Sequence, residues 1–204
     1  WAVLGRDRSL PHFERKLYHF LMGVACVLLY ALVLTRTEAL VLLVTIGGGL
    51  VIADMIRLRN RTVNELALKL FGKIMRREEL KSISGNSFYV LGLIVVIVLF
   101  PKTVVLLSVL FLAVGDPTAA MVGTLFGKHK LIGKKSVEGA LANLAVSAGA
   151  SFLLAVFYLN FPVEKALLLA AVGGVISMSV EILPTPIDDN FTIPVFSAVV
   201  LCLV

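Results

Sequence analysis

The chain has 204 residues, of which 59% are hydrophobic and 16% charged, with a formal net charge of +6. This is more apolar and less charged than soluble domains, which excludes an ordinary water-soluble fold and a disordered chain. The apolar residues come in runs too long for strands and without a polar helical face. The chain therefore reads as an all-α polytopic membrane helix bundle forming one domain over residues 1–204.

The opening "WAVLGRDRSLPHFERK" is polar, charged and not led by Met, so a start upstream is expected and no cleavable signal peptide is read. A helix needs about 20 apolar residues to cross the hydrocarbon core. Seven runs meet or approach that length: about 17–34, 38–56, 86–100, 102–126, 139–160, 164–182 and 190–204, the third and last being short. Between the second and third, "RLRNRTVNELALKLFGKIMRREELKSISGN" places Val63, Leu66, Leu70 and Ile74 at helical spacing opposite Lys69, Lys73 and Arg77. That is the pattern of an amphipathic helix lying on a membrane surface. Cys26 and Cys202 fall inside apolar runs, where Cys behaves as a small hydrophobe.

Charge sets the orientation. With the amino terminus in the cytosol, Arg6, Arg8, Arg15, Lys16, Arg57, Arg59, Arg61, Lys69, Lys73, Arg76, Arg77, Lys81, Lys128, Lys130, Lys134 and Lys135 all fall on the cytosolic side. Only Arg36, Lys102 and Lys165 fall outside, a division of 16 against 3 that follows the positive-inside rule. Topology and headgroup attraction account for this basicity, and no aromatic-basic module for nucleic acid is present.

Acids in spanning segments are costly and mark function by default. Asp54 ends the second span, Asp116 lies in the fourth, Glu138 opens the fifth, Glu181 ends the sixth, and Asp188 and Asp189 precede the seventh. Carboxylates beside a lysine cluster suit a divalent cation carrying a polyphosphate. Asp54 has Arg57 one turn later, so a structural pair explains it as well as a functional role does. Glu181 reads equally as a boundary residue. Asp188-Asp189-Asn190 can cap a helix, yet capping needs only one such residue. Asp116 precedes Pro117, which breaks the helix where the acid sits, and Gly123 and Gly127 follow on a face of small side chains. The loop "GKHKLIGKKSVEG" reads as phosphate-handling: mobile lysines, the Ser136 hydroxyl, then the free amides of a helix start. Lysines there serve topology as readily, and His129 reads as solvated.

"GDPTAAMVGTLFGK" with "GKKSVEGALAN" resembles the motif pair of the CTP-dependent lipid kinases, the dolichol, phytol and CTP-dependent diacylglycerol kinases. "ERKLYH", "ADMIRLRN", "SGNSFY" and "EILPTPIDDN" resemble their other landmarks in the same order, so the likeness covers about residues 14–195. The resemblance implies transfer of the γ-phosphate of CTP, with Mg²⁺, to a lipid hydroxyl at the cytosolic face. The membrane would be the plasma membrane in a prokaryote or the endoplasmic reticulum in a eukaryote. It also implies that Lys128, Lys134, Lys135, Ser136, Glu138, Gly139, Asn190, Gly123 and Gly127 bind the nucleotide. Asp116, Asp188 and Asp189 become the catalytic and metal candidates, with Lys16 and His19 near the site. Polyprenols, phytol and diacylglycerol all remain open as acceptors, as does oligomeric state. Two rivals stand beside this reading. A CDP-diacylglycerol synthase shares a "KxxEG"-type element, but its carboxyl-terminal segment differs from "PTPIDDN". A small transporter would place its polar groups nearer the midplane and show inverted repeats.

Overall fold

The structure, a computed structural model, describes residues 13–71, 79, 81–133 and 135–203. Among these residues it is all-helical, with no strand beyond an isolated bridge between Lys130 and Ser136. The helices are α1 (Phe13–Leu32), α2 (Arg36–Leu42), α3 (Gly48–Arg59), α4 (Arg61–Phe71), α5 (Gly85–Leu99), α6 (Lys102–Leu110), α7 (Asp116–Phe126), α8 (Val137–Phe157), α9 (Val163–Ile182) and α10 (Asp189–Leu201). A π-helical turn, Leu43–Gly47, joins α2 to α3, and a second, Phe111–Gly115, joins α6 to α7. Each pair thus forms one long rod. Five helical rods are long and apolar enough to span a membrane, and α5 and α10 are the shorter apolar helices. This is the polytopic all-α bundle expected from the sequence. The short third and seventh runs end where capping residues end them: Asp188 caps α10, and Pro101, just before α6, follows the end of α5.

The α6–α7 rod is the hub: 67% of its apolar span is buried, against 17% to 44% in the other four. Phe111, Val105, Leu106 and Leu107 are fully enclosed. Around it, α8 and α9 form an antiparallel hairpin whose backbones approach closely at Gly174. A side chain there would meet Leu144 O at 2.8 Å and the Ala148 methyl at 2.9 Å. Small residues are how membrane helices gain contact area, because lipid tails are as apolar as leucine. Leu21, Val33, Ile46 and Leu168 stay exposed on the outer surface, the belt expected of helices that face hydrocarbon.

The amphipathic stretch forms α4, set apart from α3 by Asn60, whose side chain accepts from Thr62 N and Val63 N. None of α4 is buried, and Leu66 and Leu70 are exposed, as befits a surface helix. Ile74, Lys73 and Arg77 lie outside the described residues.

Asp54 and Arg57 have a structural explanation. Arg57 Nε donates to Asp54 Oδ1 at 2.5 Å, and its remaining donors reach Asn64 Oδ1, Glu79 O and Ser82 O. Asp54 Oδ2 accepts from Ser84 N at 2.6 Å and Ser87 Oγ at 3.0 Å. The pair therefore pins the connection that leads into α5. Removing one partner of a buried ion pair leaves the other uncompensated, so Arg57→Ala is expected to cost roughly 3–5 kcal/mol. Thermal unfolding in detergent measures this, and a variant as stable as the parent would contradict the assignment.

Candidate functional site

Pro117 does not break the helix as the sequence suggested: it sits in the first turn of α7, where its missing N–H is tolerated, and the rod continues through it. The site is built where this Asp-Pro step, the loop after α7 and the ends of α1, α9 and α10 meet. Asp116 opens α7 directly after the π-turn, and Lys16 on α1 reaches it with Nζ 2.8 Å from Oδ2. Both side chains are about nine-tenths buried, at 13% and 14% exposed, so the carboxylate is neutralised inside the bundle rather than by solvent. Lys135 forms the second pair. Its ammonium donates to the Glu181 carbonyl and stands 3.5 Å from Glu181 Oε1 and 3.8 Å from Asp189 Oδ2. Glu181, buried at the end of α9, also feels the charges of Asp116 and Asp189, which puts all three carboxylates in one electrostatic neighbourhood.

Glu181, which the sequence left open between a functional acid and a boundary residue, thus lies against Lys135 and near Asp116 and Asp189. Its position at the end of a spanning run was the available signal, and only its neighbours distinguish it from a boundary residue. His19 lies with its ring 6.4 Å from that of Tyr89, on the same helix and one turn beyond Lys16.

The loop after α7 folds on itself. Leu131 N donates to Lys135 O and Lys135 N to Ile132 O, both at 3.0 Å, around Gly133, whose φ of +59° suits glycine. His129 Nδ1 lies 2.8 Å from Glu138 Oε1, tying the loop to the start of α8. Ser136 is the N-cap of α8 and accepts from Gly139 N at 3.2 Å. Val137 N is bonded to His129 O at 2.9 Å. Two amides of this helix start are therefore committed within the protein. Lys128 stands on the exposed part of the loop, and Lys134 lies outside the described residues.

Gly123, Gly127 and Gly139 shape the loop's seat. A side chain on Gly139 would fall 2.5 Å from Ala119 O, and one on Gly123 would fall 3.0 Å from Ser136 Oγ. A side chain on Gly127 would run into Gly123 O and lie 2.8 Å from Ser136 Oγ. Ser136 is consequently buried between α7 and α8.

At the seventh span the three polar residues divide their work. Asp188 Oδ1 accepts from Asn190 N at 3.0 Å as the cap of α10. Asn190, buried, donates to Gly85 O at 3.0 Å and so ties α10 to α5. Asp189 is the one seen against Lys135.

Among the described residues no three His, Cys, Asp or Glu side chains gather closely enough to cage an ion alone. The hard oxygen donors present are the carboxylates of Asp116, Glu181 and Asp189, each near a lysine or another of the acids. Mg²⁺ takes one or two carboxylates and completes its shell with phosphate oxygens and water.

Comparison with known proteins gives relatives over most of the chain. It is 32% identical to CTP-dependent diacylglycerol kinase 1 of Saccharomyces cerevisiae, over 90% of this chain and 70% of that protein. It is 31% identical to the protein of the same name from Eremothecium gossypii, over 91% of this chain and 64% of the relative. It is 27% identical to that of Schizosaccharomyces pombe, over 100% of this chain and 97% of the relative. The chain thus spans about two thirds of the length of the first two. No family model matches the chain. No solved structure matches it.

Gly139→Ala should push α8 away from Ala119 and unseat the loop. Faster tryptic cleavage at Lys128, Lys130 or Lys135 than in the parent is the expected result, and unchanged cleavage would count against the packing role.

Proposed function

The chain belongs to the CTP-dependent lipid kinase family, and on that premise we propose that it transfers the γ-phosphate of CTP to the hydroxyl of diacylglycerol at the cytosolic face of a membrane. Of the acceptors left open by the sequence, the names of the relatives favour diacylglycerol over dolichol or phytol. The 16-to-3 division of basic residues supports the cytosolic placement. The observation that carries the reading is the convergence of five elements on two acid–lysine pairs, Lys16 with Asp116 and Lys135 with Glu181 and Asp189.

Phosphoryl transfer asks a protein mainly for positioning and charge neutralisation. A magnesium ion held by Asp116 together with Glu181 or Asp189 would neutralise charge on the phosphate oxygens. Lys135 then turns from the carboxylates to the triphosphate, and Lys16 keeps Asp116 aimed. The lipid hydroxyl oxygen forms the new bond to the γ-phosphorus while the bond between that phosphorus and the bridging oxygen breaks. CDP departs with the electron pair, and the hydroxyl proton passes to one of the acids of the cluster. The lipid enters between helices with its tails in hydrocarbon. Asp188 and Asn190 contribute by fixing the start of α10, and Ser136, Glu138 and the three glycines by holding the loop that presents Lys135.

Purified protein given diacylglycerol and CTP labelled at either the α- or the γ-phosphate should place only γ-label in the lipid. Label from the α-position in the lipid, with the β- and γ-phosphates leaving as pyrophosphate, would replace this reading with cytidylyl transfer. Asp116→Asn should lower turnover by about 10²–10³-fold, the scale seen when a transition-state electrostatic contact is removed. The variant should remain folded in detergent. Lys135→Ala should raise the KM for CTP about tenfold, the equivalent of one charged hydrogen bond. An unchanged KM would return Lys135 to a purely topological role.

A further inference from the structure

Directly beneath the site, three polar side chains meet inside the spanning bundle. Asn143 and Ser147 project from α8 and Ser177 from α9, with exposures of 1%, 0% and 0%. Ser147 Oγ lies 2.9 Å and Ser177 Oγ 2.6 Å from Asn143 Oδ1, and the two hydroxyls lie 2.8 Å from each other. Two hydroxyl protons cannot fill three edges, so two bonds form at a time and the arrangement can shift between them. Asn143 Nδ2 has no partner among the described residues. A buried amide donor left unbonded has a cost that packing alone does not repay.

All three oxygens converge on Gly115. A Cβ there would fall 2.6 Å from Asn143 Oδ1, 2.8 Å from Ser147 Oγ and 2.9 Å from Ser177 Oγ. Gly115 ends the π-turn and immediately precedes Asp116. The helix ladder is weak at this point. Asp116 N–H donates to Phe111 O, five residues back, instead of completing an α-helical turn. Pro117 has no N–H to donate at all. The direction of the Asp116 carboxylate is thus under-determined by its own helix. Ser177 sits one turn before Glu181 on the same face of α9, since residues four apart overlie one another.

We propose that Asn143, Ser147 and Ser177 are positioning residues, a polar clamp that fixes the π-turn and so sets the separation of Asp116 and Glu181. The clamp replaces the backbone constraint that the π-turn and Pro117 remove, and it references both acids to one point. It rests on the kinase reading only for its catalytic consequence.

The test compares Asn143→Leu, which keeps the branched heavy-atom skeleton but removes the polar group, and the milder Ser177→Ala, with Ser151→Ala. Ser151 is an equally buried serine two turns further along α8 from Asn143; it packs against Gly173 rather than Gly115. Hydrogen exchange of the 111–118 amides, read on folded protein in detergent, should quicken in the first two variants and not in the third. Turnover with CTP and diacylglycerol should fall about 10²-fold in Asn143→Leu, the cost of a misplacement near 1 Å, while the KM for CTP changes little. Unchanged exchange at 111–118 in both clamp variants would overturn the proposal, as would an equal loss in Ser151→Ala. A parent protein that transfers no γ-phosphate would remove the kinase reading, and the exchange comparison would still judge the clamp.

Discussion

Burying a carboxylate in a low-dielectric bundle is costly unless a cation or hydrogen-bond donors meet it, and this constraint organises the acid-bearing end of the protein. Asp54 is matched by Arg57 and by donors from Ser84 and Ser87. Asp116 is matched by Lys16, and Glu181 with Asp189 by Lys135. These pairs differ in how fully they are satisfied. Arg57 spends its donors on Asp54, a side-chain amide and two loop carbonyls, a closed set that holds structure. Lys135 stands 3.5 Å and 3.8 Å from the carboxylates of Glu181 and Asp189, and Glu181 also faces the charges of Asp116 and Asp189, so this set is less fully matched.

Backbone irregularity carries the second half of the design. A π-turn and an Asp-Pro step in the most buried rod loosen the helix ladder just before Asp116. The chain stays helical through this step, but the π-turn and Pro117 leave the backbone ladder incomplete, and such groups at membrane depth must be covered by protein or water. Here the α8–α9 hairpin supplies the cover, with its polar side chains turned onto Gly115. Further along, the same α8 packs glycine against glycine on α7, and this contact buries Ser136 and seats the loop that presents Lys135. One helix thus serves both the acid and the cation of the centre.

Much of this was legible in the sequence. Run length and hydropathic periodicity are local properties, and they identified the spanning segments and the amphipathic helix after the second of them, of which residues 61–71 are described. The Asp-Pro step and the "GKKSVEG" loop were visible for the same reason: each departs from its apolar surroundings. What a side chain does with its neighbours was not visible. Asp54 with Arg57 was open between structure and function, because i,i+3 spacing is the same in either case. The resemblance placed Asn190 at the nucleotide, and nothing in the sequence signals that its amide also bonds to Gly85 O. Gly123 and Gly127 read as a small-residue face, and with Gly139 they leave space that is filled by Ser136 and by Ala119 O.

By itself the sequence determined that this chain is a helical membrane bundle, since hydropathy acts residue by residue. Tertiary structure decided which acid meets which lysine. Lys16 and Asp116 are 100 positions apart, and Lys135 and Glu181 are 46. No periodicity along a chain encodes contacts between helices so distant in sequence; only the packing around the α6–α7 rod brings Glu181 into the same charge neighbourhood as Asp116.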